Sequence, residues 1–110
     1  MTTQKVDWST IPWTHVRPGV ERKAFSGETC TLALHQLLPG HEPRPHHHPF
    51  EQVVYVIAGE MDFHVDGEVH RLGPGGVIAI PPDVMHHAVV TSDVPAVSLD
   101  VFTPQRHEYA

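Results

Sequence analysis

Eleven of the 110 residues are histidines, and five of them fall in two tight groups, His46-His47-His48 and His86-His87. Histidine is the commonest metal ligand and the side chain that titrates nearest neutrality, so both metal binding and proton transfer are open to such groups. On an extended backbone alternate side chains share a face, which points His46 and His48 one way and His47 the other. Gln52 has the same parity where the strand runs regularly past Pro49. His86 follows the Pro81-Pro82-Asp83 turn and offers a further imidazole from a distant part of the chain. Two same-face imidazoles, an amide oxygen and a third imidazole suit a divalent ion with a position left for water or substrate. A histidine cluster also occurs as a solvated loop with only adventitious metal affinity, and His-x-His alone does not separate the two.

A third group lies near the C-terminus, Asp100-Val101-Phe102-Thr103-Pro104-Gln105-Arg106. Asp100 and Phe102 alternate with Leu99 and Val101, so a strand here presents an acid and an aromatic ring to one face. An aspartate facing a barrel interior is costly unless it has a partner or a role. The simpler arrangement is a rim aspartate bridging to Arg106. His35, His64 and His70 lie in alternating runs and read as half-exposed strand positions. His47 and His87 neighbour the ligand positions but point off their face. Arg44 reads as a solvated loop residue, Trp8 and Trp13 as packing residues of an N-terminal arm, and His15, His41 and His107 take no role.

The elements that must position these groups are short. Eleven prolines, spread from Pro12 to Pro104, exclude long helices almost everywhere. Strands are expected near Val20–Phe25, Thr29–Leu38, Gln52–Ile57, Met61–Val65, Glu68–Leu72, Val77–Ile80, His86–Thr91 and Ala96–Thr103. Asp66-Gly67 between two alternating runs is the strongest hairpin signal, with further turns at Gly73-Pro-Gly-Gly and Pro81-Pro82-Asp83. Eight short strands predict an all-β jelly-roll barrel, a single domain over residues 1–110 with 1–18 as an N-terminal arm.

Composition narrows the function classes. The five arginines and two lysines are scattered and the net charge is −6, so no nucleic-acid partner is expected. The longest purely apolar run, Val53–Ala58, is far short of the roughly 20 residues of a membrane helix. The N-terminus has no apolar signal region, and a soluble cytoplasmic protein is expected. The single cysteine, Cys30, excludes a disulfide within the chain.

The two histidine segments resemble the paired motifs of the cupin superfamily. The first, Gly-x5-His-x-His-x3,4-Glu-x6-Gly, is met by Gly40, His46, His48 and Gly59, with Gln52 in the glutamate position. The second, Gly-x5-Pro-x-Gly-x2-His-x3-Asn, is met by Gly75, Pro81 and His86, with Asp83 in place of the glycine and Val90 in place of the asparagine. Glu51 stands one residue early for the glutamate, and parity turns it away from His46 and His48. Gln52 is therefore the expected ligand, with Glu51 as the alternative.

Gly19-Val-Glu-Arg-Lys-Ala-Phe25, Glu51-Gln-Val-Val-Tyr-Val56 and Asp100-Val-Phe-Thr-Pro-Gln-Arg106 are further similar to the small pectin-degradation cupins of the KdgF type. That resemblance implies one divalent ion (Zn, Ni, Mn or Fe) on His46, His48, Gln52 and His86, with Asp100, Phe102 and Arg106 on the substrate side. It implies a small anionic substrate, conversion of 4,5-unsaturated monouronates to linear keto acids, and a homodimer. An uncharged ligand set leans towards Lewis-acid work. The rival expectations are an iron-dependent cupin dioxygenase and a non-catalytic cupin that binds a metal or small ligand.

Overall fold

Alternating runs separated by turn residues become nine strands in the computed structural model, which describes residues 2–109. They are β1 (Thr14–Arg17), β2 (Val20–Ser26), β3 (Thr31–Leu37), β4 (Glu51–Ala58), β5 (Met61–Val65), β6 (Glu68–Leu72), β7 (Val77–Ile80), β8 (His86–Val90) and β9 (Ala96–Thr103). Short 3-10 turns at Trp8–Thr10 and His107–Tyr109 flank them. All eight expected strands form, with ends moved by no more than two residues.

The ninth, β1, corrects the expected arm over 1–18, because Thr14–Arg17 pairs antiparallel with β2 at a sheet edge. A four-residue strand, enclosed by Pro12 and Pro18, is too short for alternation to show in the sequence.

The strands build two antiparallel sheets, β1-β2-β3-β9-β4-β7 and β6-β5-β8, in the jelly-roll manner. Between them Val20, Leu37, Val54, Val56, Met61, Phe63, Ile80, Val90 and Ala96 form the apolar core. Burying each of the larger side chains contributes roughly 1.5–3 kcal/mol. Burial alternates strictly along β3 and β9, so Thr31, Ala33, His35 and Leu37 share the interior with Ala96, Ser98, Asp100 and Phe102. Their register sets His35 opposite Ser98 and Ala33 opposite Asp100, while β4 sets Gln52 opposite Phe102. The inward face is thus apolar over part of its area and polar where these three strands meet.

Two turns hold this register. Asp66 (φ 49°) and Gly67 (φ 82°) both take left-handed backbone, as a two-residue hairpin turn requires. At Gly59 (φ 73°) a Cβ would lie 2.7 Å from both Ala96 Cα and Pro95 O, so the end of β4 packs directly on the start of β9. No helix among the described residues is long and apolar enough to cross a membrane.

Candidate metal centre

The two histidine segments meet through their backbones. His46 N–H donates to His86 O (3.0 Å), His86 N–H donates to His46 O (2.9 Å), and Asp83 N–H donates to His48 O (2.7 Å). Asp83 takes left-handed backbone (φ 62°), which explains why the motif pattern has glycine there; aspartate tolerates that region better than most side chains.

This pairing draws the ring centroids of His46 and His86 to 4.4 Å, of His48 and His86 to 4.9 Å, and of His46 and His48 to 5.5 Å. One ligand atom from each ring can be chosen so that all lie within 4.8 Å of one another.

Backbone carbonyls set the tautomers. Nδ1 of His46 lies 2.7 Å from Arg44 O, Nδ1 of His86 lies 2.8 Å from Val84 O, and Nδ1 of His48 lies 3.0 Å from Phe50 O. A carbonyl only accepts, so each Nδ1 carries the proton and each Nε2 keeps a lone pair. Holding the far nitrogen on a carbonyl is the usual way a ligating imidazole is oriented.

Gln52 closes the set. Its Nε2 donates to Asp100 Oδ2 (3.1 Å), which turns Oε1 towards His48 Nε2 at 3.1 Å. With the tautomers above, both of those atoms are acceptors, and His86 Nε2 is buried with no partner. Lone pairs converging in this way suit a bound cation. The three imidazoles and the amide fit a divalent ion, and none of these donors brings a charge to it. Glu51, the alternative, is exposed at the start of β4, on the face opposite Gln52.

Burial pushes the His46 pKa down from 6.5 to about 4, aided by the neighbouring His86, His48 and Arg106; burial also lowers His86 and His41. Both ligand positions are therefore uncharged at neutral pH.

A stability consequence follows for the metal-free protein. Between about pH 6.5 and pH 4 the unfolded chain binds a proton at His46 that the folded chain refuses. Stability is then full above pH 6.5 and falls as pH drops towards 4. Melting temperatures in chelator should decline from pH 7 to pH 5; a flat profile would contradict the burial of uncharged rings.

The strand next to β4, β9, carries the C-terminal group into the same cavity. Asp100 is 5% exposed and lies inside the barrel; its Oδ1 accepts from Ser98 Oγ (2.9 Å) and its Oδ2 from the Gln52 amide. The rim bridge to Arg106 does not form. Arg106 Nε instead donates to Glu108 (2.8 Å), its guanidinium stacks over Tyr109 (4.1 Å) and Phe102 (4.8 Å), and Nη1 is buried without a partner. Phe102 stands edge-on to His48 at 5.7 Å. His46, Gln52, His86, Asp100, Phe102 and Arg106 line one cavity of about 450 Å³, so all the sequence-expected site residues except His48 border it, and His48 lies directly behind as a neighbour of His86 and Gln52.

Some residues escaped the sequence reading. His35 was taken as half-exposed, yet it is 9% exposed and its Nδ1 lies 3.1 Å from Asp100 Oδ2. The run Leu32-Ala-Leu-His-Gln-Leu37 is apolar on both parities, so alternation could not say which face His35 takes. Arg22 and Tyr109 also line the cavity, with the Arg22 guanidinium 3.6 Å over the tyrosine ring. Arg22 lies in the Gly19–Phe25 segment that carries the resemblance but was given no role, and nothing in the sequence marks Tyr109. His41 is buried and accepts from Val90 N–H (3.2 Å), tying the loop after β3 to β8. Arg44 is exposed but borders the cavity mouth. The His64 and His87 rings stack with centroids 4.3 Å apart, and His47 and His87, read as pointing off the ligand face, both border the cavity.

Comparison with known proteins agrees with this geometry. Residues 33–102 match the family model described as Cupin domain. The chain is 29% identical over 101 residues to the pectin degradation protein KdgF of Dickeya dadantii, covering 89% of this chain and 90% of that protein. It is 31% identical over 64 residues to an acireductone dioxygenase of Bacillus pumilus, covering 54% of this chain and 36% of that protein. The solved structure of KdgF from Halomonas sp. superimposes with a TM-score of 0.90 at 27% identity, covering 99% of this chain and all of that one (100%).

Proposed function

The chain belongs to the cupin family, and from that premise we propose that it is a metal-dependent enzyme that opens the ring of a small 4,5-unsaturated uronate to give the linear keto acid. One observation carries this reading: a single cavity is lined by the uncharged donors His46, Gln52 and His86 together with a buried acid, Asp100, and with Arg106, whose Nη1 is buried and unpaired. The likeness to KdgF proteins along nearly the whole chain supports the choice of substrate.

His46, His48, Gln52 and His86 would hold a divalent ion, which would supply Lewis acidity when bound. The rest falls to the chain's own residues. Arg106 Nη1 donates to the sugar carboxylate, and stacking on Phe102 and Tyr109 holds the guanidinium plane in place. Asp100 takes the proton of the anomeric hydroxyl as the ring C–O bond breaks. That leaves an aldehyde at one end and an enolate at the other. The same proton, delivered to the enolate carbon, yields a ketone, so the step is an isomerisation with no atom gained or lost. Phe102 walls off water beside His48.

The test is the loss of the unsaturated monouronate's ultraviolet absorbance on adding metallated protein, against the spontaneous rate. Clear acceleration is expected on a galacturonate- or alginate-derived substrate. No acceleration on either would overturn the proposal. The similarity to an acireductone dioxygenase over about half of the chain favours a second reading, an oxygen-using cupin, which oxygen uptake with candidate substrates would reveal.

A further inference from the structure

Beside Asp100, along the same cavity, stand Arg22 and His35, which the reaction above does not use. Arg22 Nε donates to His35 Nε2 at 3.0 Å. A guanidinium only donates, so Nε2 is the acceptor and the uncharged His35 ring carries its proton on Nδ1. That Nδ1 is buried and makes no well-aligned hydrogen bond; it lies 3.1 Å from Asp100 Oδ2. Arg22 is itself held by its stack on Tyr109 at 3.6 Å. The order Tyr109, Arg22, His35, Asp100 therefore runs from the C-terminal turn through β2 and β3 to the acid on β9.

We propose that His35 is a positioning residue for Asp100, locked by Arg22 into the tautomer that presents Nδ1–H to the carboxylate. The proposal rests on the reading of Asp100 as the proton carrier. Three donors from three strands face the two carboxylate oxygens: Ser98 on β9 towards Oδ1, and Gln52 on β4 and His35 on β3 towards Oδ2. Gln52 has a second commitment, because its Oε1 is turned to the metal cluster. Without His35, Oδ2 depends on that amide alone. Acid and metal ligand then compete for the orientation of one side chain. With His35 present, the carboxylate stays aimed at the cavity whichever way the Gln52 amide is drawn.

The experiment compares three substitutions in the metallated protein. Asparagine places an N–H close to where Nδ1 sits, whereas glutamine reaches the Nε2 position and alanine offers nothing. Partners that orient an active-site group typically matter about 10–100-fold. His35→Ala and His35→Gln should lower kcat by about that factor with KM and metal content little changed, and His35→Asn should recover most of the loss. A merely structural role would track melting temperature instead, and equal kcat for the asparagine and alanine variants would overturn the proposal.

Imidazole nitrogen NMR on the zinc-loaded wild type separates this inference from the choice of substrate. It should show His35 protonated at Nδ1 only, with that proton's resonance moving upfield in Asp100→Asn. Protonation at Nε2, or a resonance indifferent to Asp100→Asn, overturns the inference whatever the enzyme's substrate. A wild type with the expected resonances but no uronate turnover would instead discard the proposed reaction and leave the His35–Asp100 contact standing.

Discussion

Replacing Asp100 by alanine is expected to slow uronate turnover about 10²–10⁴-fold, the usual worth of a positioned general acid–base, while leaving about one metal ion per chain. Asp100 does not belong to the donor cluster; it reaches it only through the Gln52 amide. Its removal leaves Gln52, Ser98 and His35 without their common acceptor, so the alanine variant should also melt lower, each orphaned donor costing about 1–3 kcal/mol. Asp100→Asn provides the control, because it keeps the shape and part of the hydrogen bonding but cannot carry the proton. Both variants should be slow, with the asparagine protein the more stable. Full rate in either, with metal bound, would remove Asp100 from the chemistry.

Replacing His86 by alanine is expected to take the protein from about one divalent ion per chain to almost none by elemental analysis. Its Nε2 is the buried acceptor with no other partner, and the ring stands within 5 Å of both other imidazoles. The backbone pair between His46 and His86 survives the substitution, because both of its bonds use main-chain atoms. Loss of metal would therefore report the missing ligand rather than a displaced segment. The His46→Ala/His48→Ala double variant should behave in the same way. Stoichiometric metal in either protein would move the centre elsewhere, and analysis of the wild type identifies the ion.

Much of this was legible in the residues themselves, for reasons of period and punctuation. A strand's two-residue repeat is a local property, so it put Asp100 with Phe102 on one face. His46 and His48 also converge, but His46 forms only an isolated bridge and a bend at Pro49-Phe50 interrupts the expected strand before Gln52. The same parity preferred Gln52 to Glu51, and the structure sets Gln52 inward and Glu51 outward. Prolines and the Asp66-Gly67 dipeptide constrain φ directly, which is why strand boundaries and the hairpin could be read before any coordinates.

What the sequence could not decide depends on contacts between segments far apart in the chain. The approach of His86 to His46 is a pairing across 40 positions, foreshadowed only by motif resemblance and made by two backbone hydrogen bonds. The interior placement of His35 was hidden because β3 is apolar on both faces, so only packing against β9 selects one. Arg22 and Tyr109 have no local signature, since a cation gains its place from the ring folded back over it. The simpler sequence reading bridged Arg106 to Asp100 at the rim, but Glu108, two residues away, captures its Nε, and the Phe102 and Tyr109 rings fix its plane. Periodicity thus assigned the inward faces of β4 and β9, while long-range register and side-chain stacking determined what surrounds the acid.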